Sequence, residues 1–197
     1  MLRKLLVMLA SVLLLSSCSL LSPAPRSNTY ILNTVPSVAK HGREHGAILV
    51  MQPTTSPIYE TSDMAYTTTP YLISYFAKNM WAETPTQMLQ PLIIQTLLNT
   101  HHFKAVSGNN TYGTYDYVLN SQLLELQQDF TQGISVIRLR LRAELISNAS
   151  SQVIATKEFS VVIPAPYQTP YGGVIAANRA TAQMLQDLAR FCVRHSK

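Results

Sequence analysis

Residues 134–146 read ISVIRLRLRAELI. Ile137, Leu139, Leu141 and Leu145 alternate there with Arg138, Arg140, Arg142 and Glu144. A period of two, with one apolar row and one charged row, marks a strand packed on a core by one face and wetted on the other. A helix would mix the two rows on every face. The chain around this stretch supplies partners for it. Asp116 to Phe130 reads as a second long strand, joined to the first near Thr131-Gln132-Gly133. Asn148 to Ser151 reads as a turn, and Val153 to Ile163 as a third long strand. Together they predict an antiparallel meander.

Further out, Thr29 to Leu32 (TYIL) predicts a short strand. Ala47 to Met51 (AILVM) is a continuous apolar run of strand length, which suits a strand buried on both faces. Met64 to Thr68 and Tyr71 to Tyr75 are rich in Thr, Tyr and Ile and predict a hairpin or two short consecutive strands. Thr84-Pro85-Thr86-Gln87 is a helix start: Thr84 can cap, Pro85 suits the first helical position, and Gln87 completes a capping box. Leu89, Leu92, Ile93, Leu97 and Leu98 carry that helix to Thr100, with a kink or a late start expected at Pro91. Phe103 to Val106 reads as a strand. PAPYQTPYGG (164–173) reads as loop, and Val174 to Val193 as an amphipathic helix with Cys192 on its apolar side. The predicted fold class is α/β, a mixed and largely antiparallel sheet flanked by helices.

The amino terminus carries a different signal. Arg3 and Lys4 precede an apolar run, Leu5 to Leu15, too short for a membrane span. Small residues then lead to a cysteine, Leu15-Ser16-Ser17-Cys18, which resembles the bacterial lipobox. An ordinary secretory signal or an uncleaved anchor helix are the other readings of such a leader. The expected organisation is a signal peptide over 1–17, a lipidated tether over 18–28, and a single domain over 29–197. A diacylglycerol on the Cys18 thiol would hold the chain at a membrane, at ~0.8 kcal/mol per buried CH₂. Ser19, where Asp would favour inner-membrane retention in enteric-type bacteria, points to the outer membrane. Ser22 to Asn28 holds Pro23 and Pro25, which keep a tether extended.

The formal charge is +5, and it falls to +3 when Arg3 and Lys4 leave with the leader. That mild balance in an exported chain does not suggest a nucleic-acid binder. With Cys18 lipidated, Cys192 has no partner for an internal disulfide, and its place on the apolar side of the last helix predicts a buried, inert thiol.

The residues that invite a functional reading are few. Arg138, Arg140 and Arg142 form a basic row suited to lipid phosphates or an acidic partner, or else to cross-strand pairing with Glu125 and Asp129. Trp81 is either an exposed partner anchor or a core residue closing a sheet–helix junction, and the second reading is favoured. His41 and His45 are four apart, but Gly42 and Gly46 favour solvated loop histidines over a metal site. His101 and His102 can complement the C-terminus of the preceding helix. Asp63 and Asp116 have no partner carboxylate at an informative spacing. No G-x-S-x-G, P-loop, C-x-x-C or zinc pattern is present. A non-enzyme without metal or dissociable cofactor is therefore expected.

Tyr30-Ile31-Leu32, Pro57-Ile58-Tyr59, and Tyr75-Phe76 before Trp81-Ala82-Glu83 and a Leu-rich helix carry a resemblance. Their order resembles the ABC-type transport auxiliary lipoprotein family, the PqiC-like intermembrane transport lipoproteins. Pro85 and Pro91 depart from its pattern and bear on the local helix geometry. The resemblance implies a sheet like that of the anticodon-binding or TolB N-terminal class. It implies a lipoprotein anchored in the outer membrane and facing the periplasm, and partners comprising an ABC permease and ATPase with an MCE-domain protein that moves lipid between membranes. It also admits a homo-oligomeric ring. The rival reading is an independent periplasmic module that binds lipid or a small hydrophobic ligand.

The anchor yields the first prediction. Cys18→Ala should move the protein from the membrane fraction to the soluble periplasmic fraction with its fold intact. A variant that stayed wholly in the outer-membrane fraction would refute the lipid anchor.

Overall fold

The computed structural model describes residues 27–42, 45–108 and 113–196. The meander forms as the alternation demands. Strand β7 (Tyr117–Asp129) pairs antiparallel with β8 (Val136–Ser147), and β8 with β9 (Gln152–Pro164), each along its whole length. The opposite edge of β7 is shared by three short parallel strands in succession. Strand β2 (His45–Val50) pairs where β7 begins, β3 (Thr54–Thr55) at Gln122 and Leu123, and β4 (Asp63–Thr67) at Gln128 and Asp129. Strand β6 (Phe103–Ser107) lies parallel outside β2. Strand β5 (Ser74–Trp81) lies antiparallel outside β4, and β1 (Asn28–Tyr30) parallel outside β5. The result is the expected mixed α/β sheet.

Two helices, α1 (Pro85–Asn99) and α2 (Pro170–His195), pack on each other and on the sheet. Leu139, Leu141 and Leu145 of β8, Leu89 and Ile93 of α1, and Met184, Leu185 and Leu188 of α2 are buried in one core cluster. Each fully buried leucine or isoleucine of this set contributes roughly 1.5–3 kcal/mol. Cys192 is buried here too, as its helical position predicts, and burial pushes its thiol up to about 12. Of the run expected at Ala47 to Met51, Ala47 to Val50 are buried in β2, as suits a strand covered on both faces, but Met51 lies beyond the strand and is 42% exposed.

Four local expectations are corrected. The strand placed at Tyr71 to Tyr75 begins at Ser74 and runs to Trp81, because the β4–β5 turn occupies residues 68–73. Thr, Tyr and Ile fill strand and turn alike here, so composition did not locate the boundary. Helix α1 runs from Pro85 through Pro91 without a late start. Pro91 is exposed, and so is Gln87, whose carbonyl it deprives of a donor. Leu98, read as an apolar-face residue, is 43% exposed.

The fourth correction is at α2, which starts at Pro170 rather than Val174. Thr169 caps it, its Oγ1 accepting from the Gly172 amide at 3.1 Å, and Pro170 takes the first helical position. Tyr171, Gly172 and Gly173 are thus helical, not a glycine turn. Both glycines are buried. A Cβ on Gly172 would collide with the Tyr167 carbonyl, and one on Gly173 with the Gln128 amide. Close approach, not turn conformation, requires them.

That packing reverses a usual sign. Gly→Ala within a helix ordinarily stabilises by ~0.5–1 kcal/mol. Gly172→Ala should instead destabilise by about 1–3 kcal/mol, because backbone at Tyr167 has to move. The urea unfolding midpoint measures this; a midpoint at or above wild type would show that the loop before α2 yields freely.

Candidate functional site

The Trp81-Ala82-Glu83 element is a structural joint. Trp81 ends β5, is 4% exposed and belongs to the core. Its amide donates to the Ser62 carbonyl at 2.7 Å, and the Ala82 amide donates to the Tyr30 carbonyl at 2.7 Å. Ala82 and Glu83 are exposed, and Thr84 follows as the cap of α1 with the full capping box that the sequence predicts. One residue of bulk and two amides fix where α1 leaves the sheet. The Leu32 amide then meets the Met88 Sδ at 3.4 Å, which ties the segment after β1 to the same helix.

Arg138, Arg140 and Arg142 stand on the sheet face away from the core, flanked by the acidic groups of both neighbouring strands. Arg138 Nε donates to Asp129 Oδ2 at 2.6 Å. Arg140 Nη2 meets Glu158 Oε1 at 2.7 Å, and its Nη1 lies 3.8 Å from Glu125 Oε2. Arg142 Nη2 lies 3.4 Å from Glu158 Oε2. A register shift in β7 between Leu123 and Glu125 makes this possible. It changes which parity faces the core, so Leu119 and Leu123 before it and Leu126 after it are all buried, while Glu125 turns toward Arg140. Burial alone would raise the Asp129 carboxyl. The Thr131 hydroxyl and amide and Arg138 outweigh it and hold the group below its usual range. Glu158 was not foreseen. Counting back from the turn at Asn148 to Ser151 places Lys157 opposite Arg142; a register shift between Leu145 and Ile146 brings Glu158 there instead, and no local signal marks that shift.

Two surface grooves flank these elements. One of about 410 Å³ lies beside the ladder, lined by Met51, Thr54, Gln122 and Arg142. A second, of about 720 Å³, runs between residues 29–34 and α2, lined by Tyr30, Ile31, Tyr171, Ile175 and Arg179. Among the described residues no group of three or more His, Cys, Asp or Glu side chains is arranged to hold a metal. No helix among them is long and apolar enough to cross a membrane.

The model of the ABC-type transport auxiliary lipoprotein component matches residues 30–189. The chain belongs to this family. That match takes in the Trp81 joint, the arginine ladder and α2 as far as Ala189. Among solved structures, the chain is similar to protein XCC0632 from Xanthomonas campestris, with a TM-score of 0.76, 19% identity, and 85% of this chain and 96% of that one covered. An uncharacterized protein follows with a TM-score of 0.66, 16% identity, and coverage of 85% and 99%. Hypothetical protein CT253 from Chlamydia trachomatis has a TM-score of 0.51, 6% identity, and coverage of 77% and 98%. These likenesses are of fold. A search among curated proteins finds no match.

In this auxiliary lipoprotein the histidines gather at one end of the sheet. His41 and His45 are half-buried rather than loop-solvated, and His45 belongs to β2. The His45 ring stacks on His102 at 4.3 Å, and His41 meets it edge-on at 5.5 Å. His102 is buried, and its Nε2 lies 2.9 Å from the Ser196 carbonyl and 3.0 Å from the Ser196 hydroxyl. That hydroxyl donates to the Cys192 carbonyl at 2.7 Å, so both Ser196 oxygens accept from His102 and the proton sits on Nε2. His102 therefore secures the end of α2, not that of α1 as expected. Asp116, too, has partners: the Ala47 amide at 2.7 Å and Lys104 at 3.4 Å.

Burial lowers the His102 basicity, the Ser196 bond opposes that, and the neighbouring His45 and His41 lower it further; the net shift is downward. The unfolded ring protonates near 6.5. A depressed folded value means the unfolded chain binds more protons below that point. Stability should be full above about pH 6.5 and fall as the pH drops through the folded value. His102→Gln keeps a donor to Ser196 without a titrating ring. Its unfolding free energy should lose less than wild type does between neutral and mildly acidic pH; equal losses would exclude His102 as the titrating group.

Proposed function

We propose that the chain is an outer-membrane-anchored periplasmic lipoprotein that serves as adaptor in an ABC/MCE-type intermembrane lipid transport system. The observation that carries this reading is the family match over residues 30–189, which spans the sheet from Tyr30 on, all of α1, and α2 as far as Ala189. The lipobox-like Leu15-Ser16-Ser17-Cys18 supports the anchor, with diacylglycerol on Cys18 as the only attached group. The mechanism is tethering. Acyl chains confine the domain to a membrane surface and raise its effective concentration near membrane-bound partners. An MCE-domain protein, with the ABC permease and ATPase of the same system, is the partner, and no reaction is assigned to the domain. A homo-oligomeric ring is compatible with this role.

Independent lipid binding is the second reading. The groove of about 720 Å³ between residues 29–34 and α2 favours it, since Ile31 and Ile175 line it beside Arg179. The adaptor is preferred because the apolar rows of β7, β8 and α2 close on one another in the core. Contact of a partner with Arg138, Arg140 or Arg142 would have to exchange ion pairs that Asp129, Glu125 and Glu158 already provide.

A crosslinked pull-down of the full-length lipoprotein from native membranes decides between them. Recovery of an ABC permease with an MCE-domain protein is the expected result. Bound lipid with no transport protein would move the assignment to the independent binding module.

A further inference from the structure

We infer that the end of the sheet formed by three uncharged loops lies in the membrane interface and orients the tethered domain on the bilayer. The inference rests on the lipid anchor proposed above. The loops are the β4–β5 turn (TTPYLI, 68–73), the β7–β8 turn (FTQGIS, 130–135) and the β9–α2 connection with the first residues of α2 (APYQTPY, 165–171). Strand pairing brings them together. Thr67 is paired with Asp129, Asp129 with Val136, and Val136 with Pro164, so all three loops leave the same end of the sheet. The Phe130 amide donates to the Thr67 carbonyl and the Ala165 amide to the Ser135 carbonyl, each at 2.9 Å.

None of the three segments contains Asp, Glu, Lys or Arg. Their exposure is equally unusual. Tyr71 at 107%, Ile134 at 64% and Tyr167 at 58% are the most exposed large apolar side chains among the described residues. Leu72 at 51% and Tyr171 at 53% stand with them. Tyr71 is held there against its backbone preference. The Leu72 amide donates to the Thr69 carbonyl at 3.2 Å, closing a turn with Pro70 second and Tyr71 third at φ 70°. Glycine is the residue for such a position, and a tyrosine there is strained. Its wholly exposed ring makes no folding contact that would offset the strain.

The occupant is a bilayer surface rather than a protein. Strand β1 runs parallel to β5, with Asn28 beside Asn79 and Tyr30 beside Trp81. Its start therefore faces the loop end, where β5 begins, from a position beside Asn79, five residues along β5 from Ser74. Nine residues lie between Cys18 and Asn28. Extended, they reach about 35 Å at most, enough to bring the loop end to the anchoring membrane. Tyrosines with a polar tip, aliphatic residues, and Thr, Gln and Ser between them are the composition that settles at headgroup level. Three separate protruding tips also suit a fluid surface better than a shape-matched partner groove.

The test uses the full-length lipoprotein in vesicles of phosphatidylethanolamine and phosphatidylglycerol, with and without bromine on the acyl chains. Trp81 is buried and gives a constant background. Tyr71→Trp, and Tyr167→Trp should the first misfold, report on the loop end. Ile154→Trp, exposed on β9 near its far end, is the control. The expected result is a blue shift and bromine quenching at the loop reporters and neither at the control. A loop reporter that matches the control on floating vesicles overturns the inference while leaving the anchor intact. The same holds if the reporter is shielded only by the transport partner. Failure of the unsubstituted chain to float would overturn anchor and inference together.

Discussion

Strand β7 is the element on which every other placement depends. One of its edges holds β8 over its whole length, and the other holds β2, β3 and β4 one after another. A slip of one residue would expose Leu119 and Leu123 and carry Asn120 and Gln122 into the core. The bulge between Leu123 and Glu125 is part of the same constraint. It lets one strand bury odd-numbered residues in its first half and even-numbered ones in its second. Without it, Glu125 would face the core and Arg140 would lose one of its two carboxylates.

This explains what could be read in the sequence and what could not. The long strands were legible because alternation is a local signal, and Ile137 to Leu145 carries it over four repeats of apolar and charged residues. Helix α1 was legible because Thr84, Pro85 and Gln87 state its start chemically. Helix α2 has the same pair, Thr169 and Pro170, yet Gly172 and Gly173 resembled a turn; their purpose, contact with Tyr167 and Gln128, is a long-range fact. The parallel pairing of β2, β3 and β4 on one edge is likewise set by tertiary contact, which periodicity does not encode. The histidine cluster was hidden for the same reason, since His41, His45 and His102 meet only once β2 and the end of α2 are in place.

The charged row of β8 was legible as a row but not as a saturated one. Three guanidinium groups face three carboxylates, and the acid that serves two of them, Glu158, comes from the strand after. Asp129, with a side chain 8% exposed, is the best buried member of the set and the one tied to the β7–β8 turn through Thr131. The others range from 16% exposed at Glu125 to 48% at Arg142, and pairs that water reaches each contribute little to stability. Their larger effect is to leave the open sheet face near local neutrality, without a strong field of either sign.

A domain whose broad face is electrostatically self-sufficient meets its surroundings chiefly through its ends, and the two ends differ in chemistry. One carries the histidines, the C-terminal residues of α2 and the Lys104–Asp116 pair. The other carries three loops without a charge and a tyrosine in a backbone conformation that resists it. For an auxiliary lipoprotein this polarity has a mechanical meaning. In the proposed role, an acyl-anchored tether would fix distance from a membrane but not direction, so a partner would meet the domain in any orientation. A second, weak contact between one end and the bilayer removes that freedom without needing high affinity of its own, because the tether already supplies the concentration. On that proposal the far end would be presented to whatever approaches the membrane surface, at a height set by the length of the sheet.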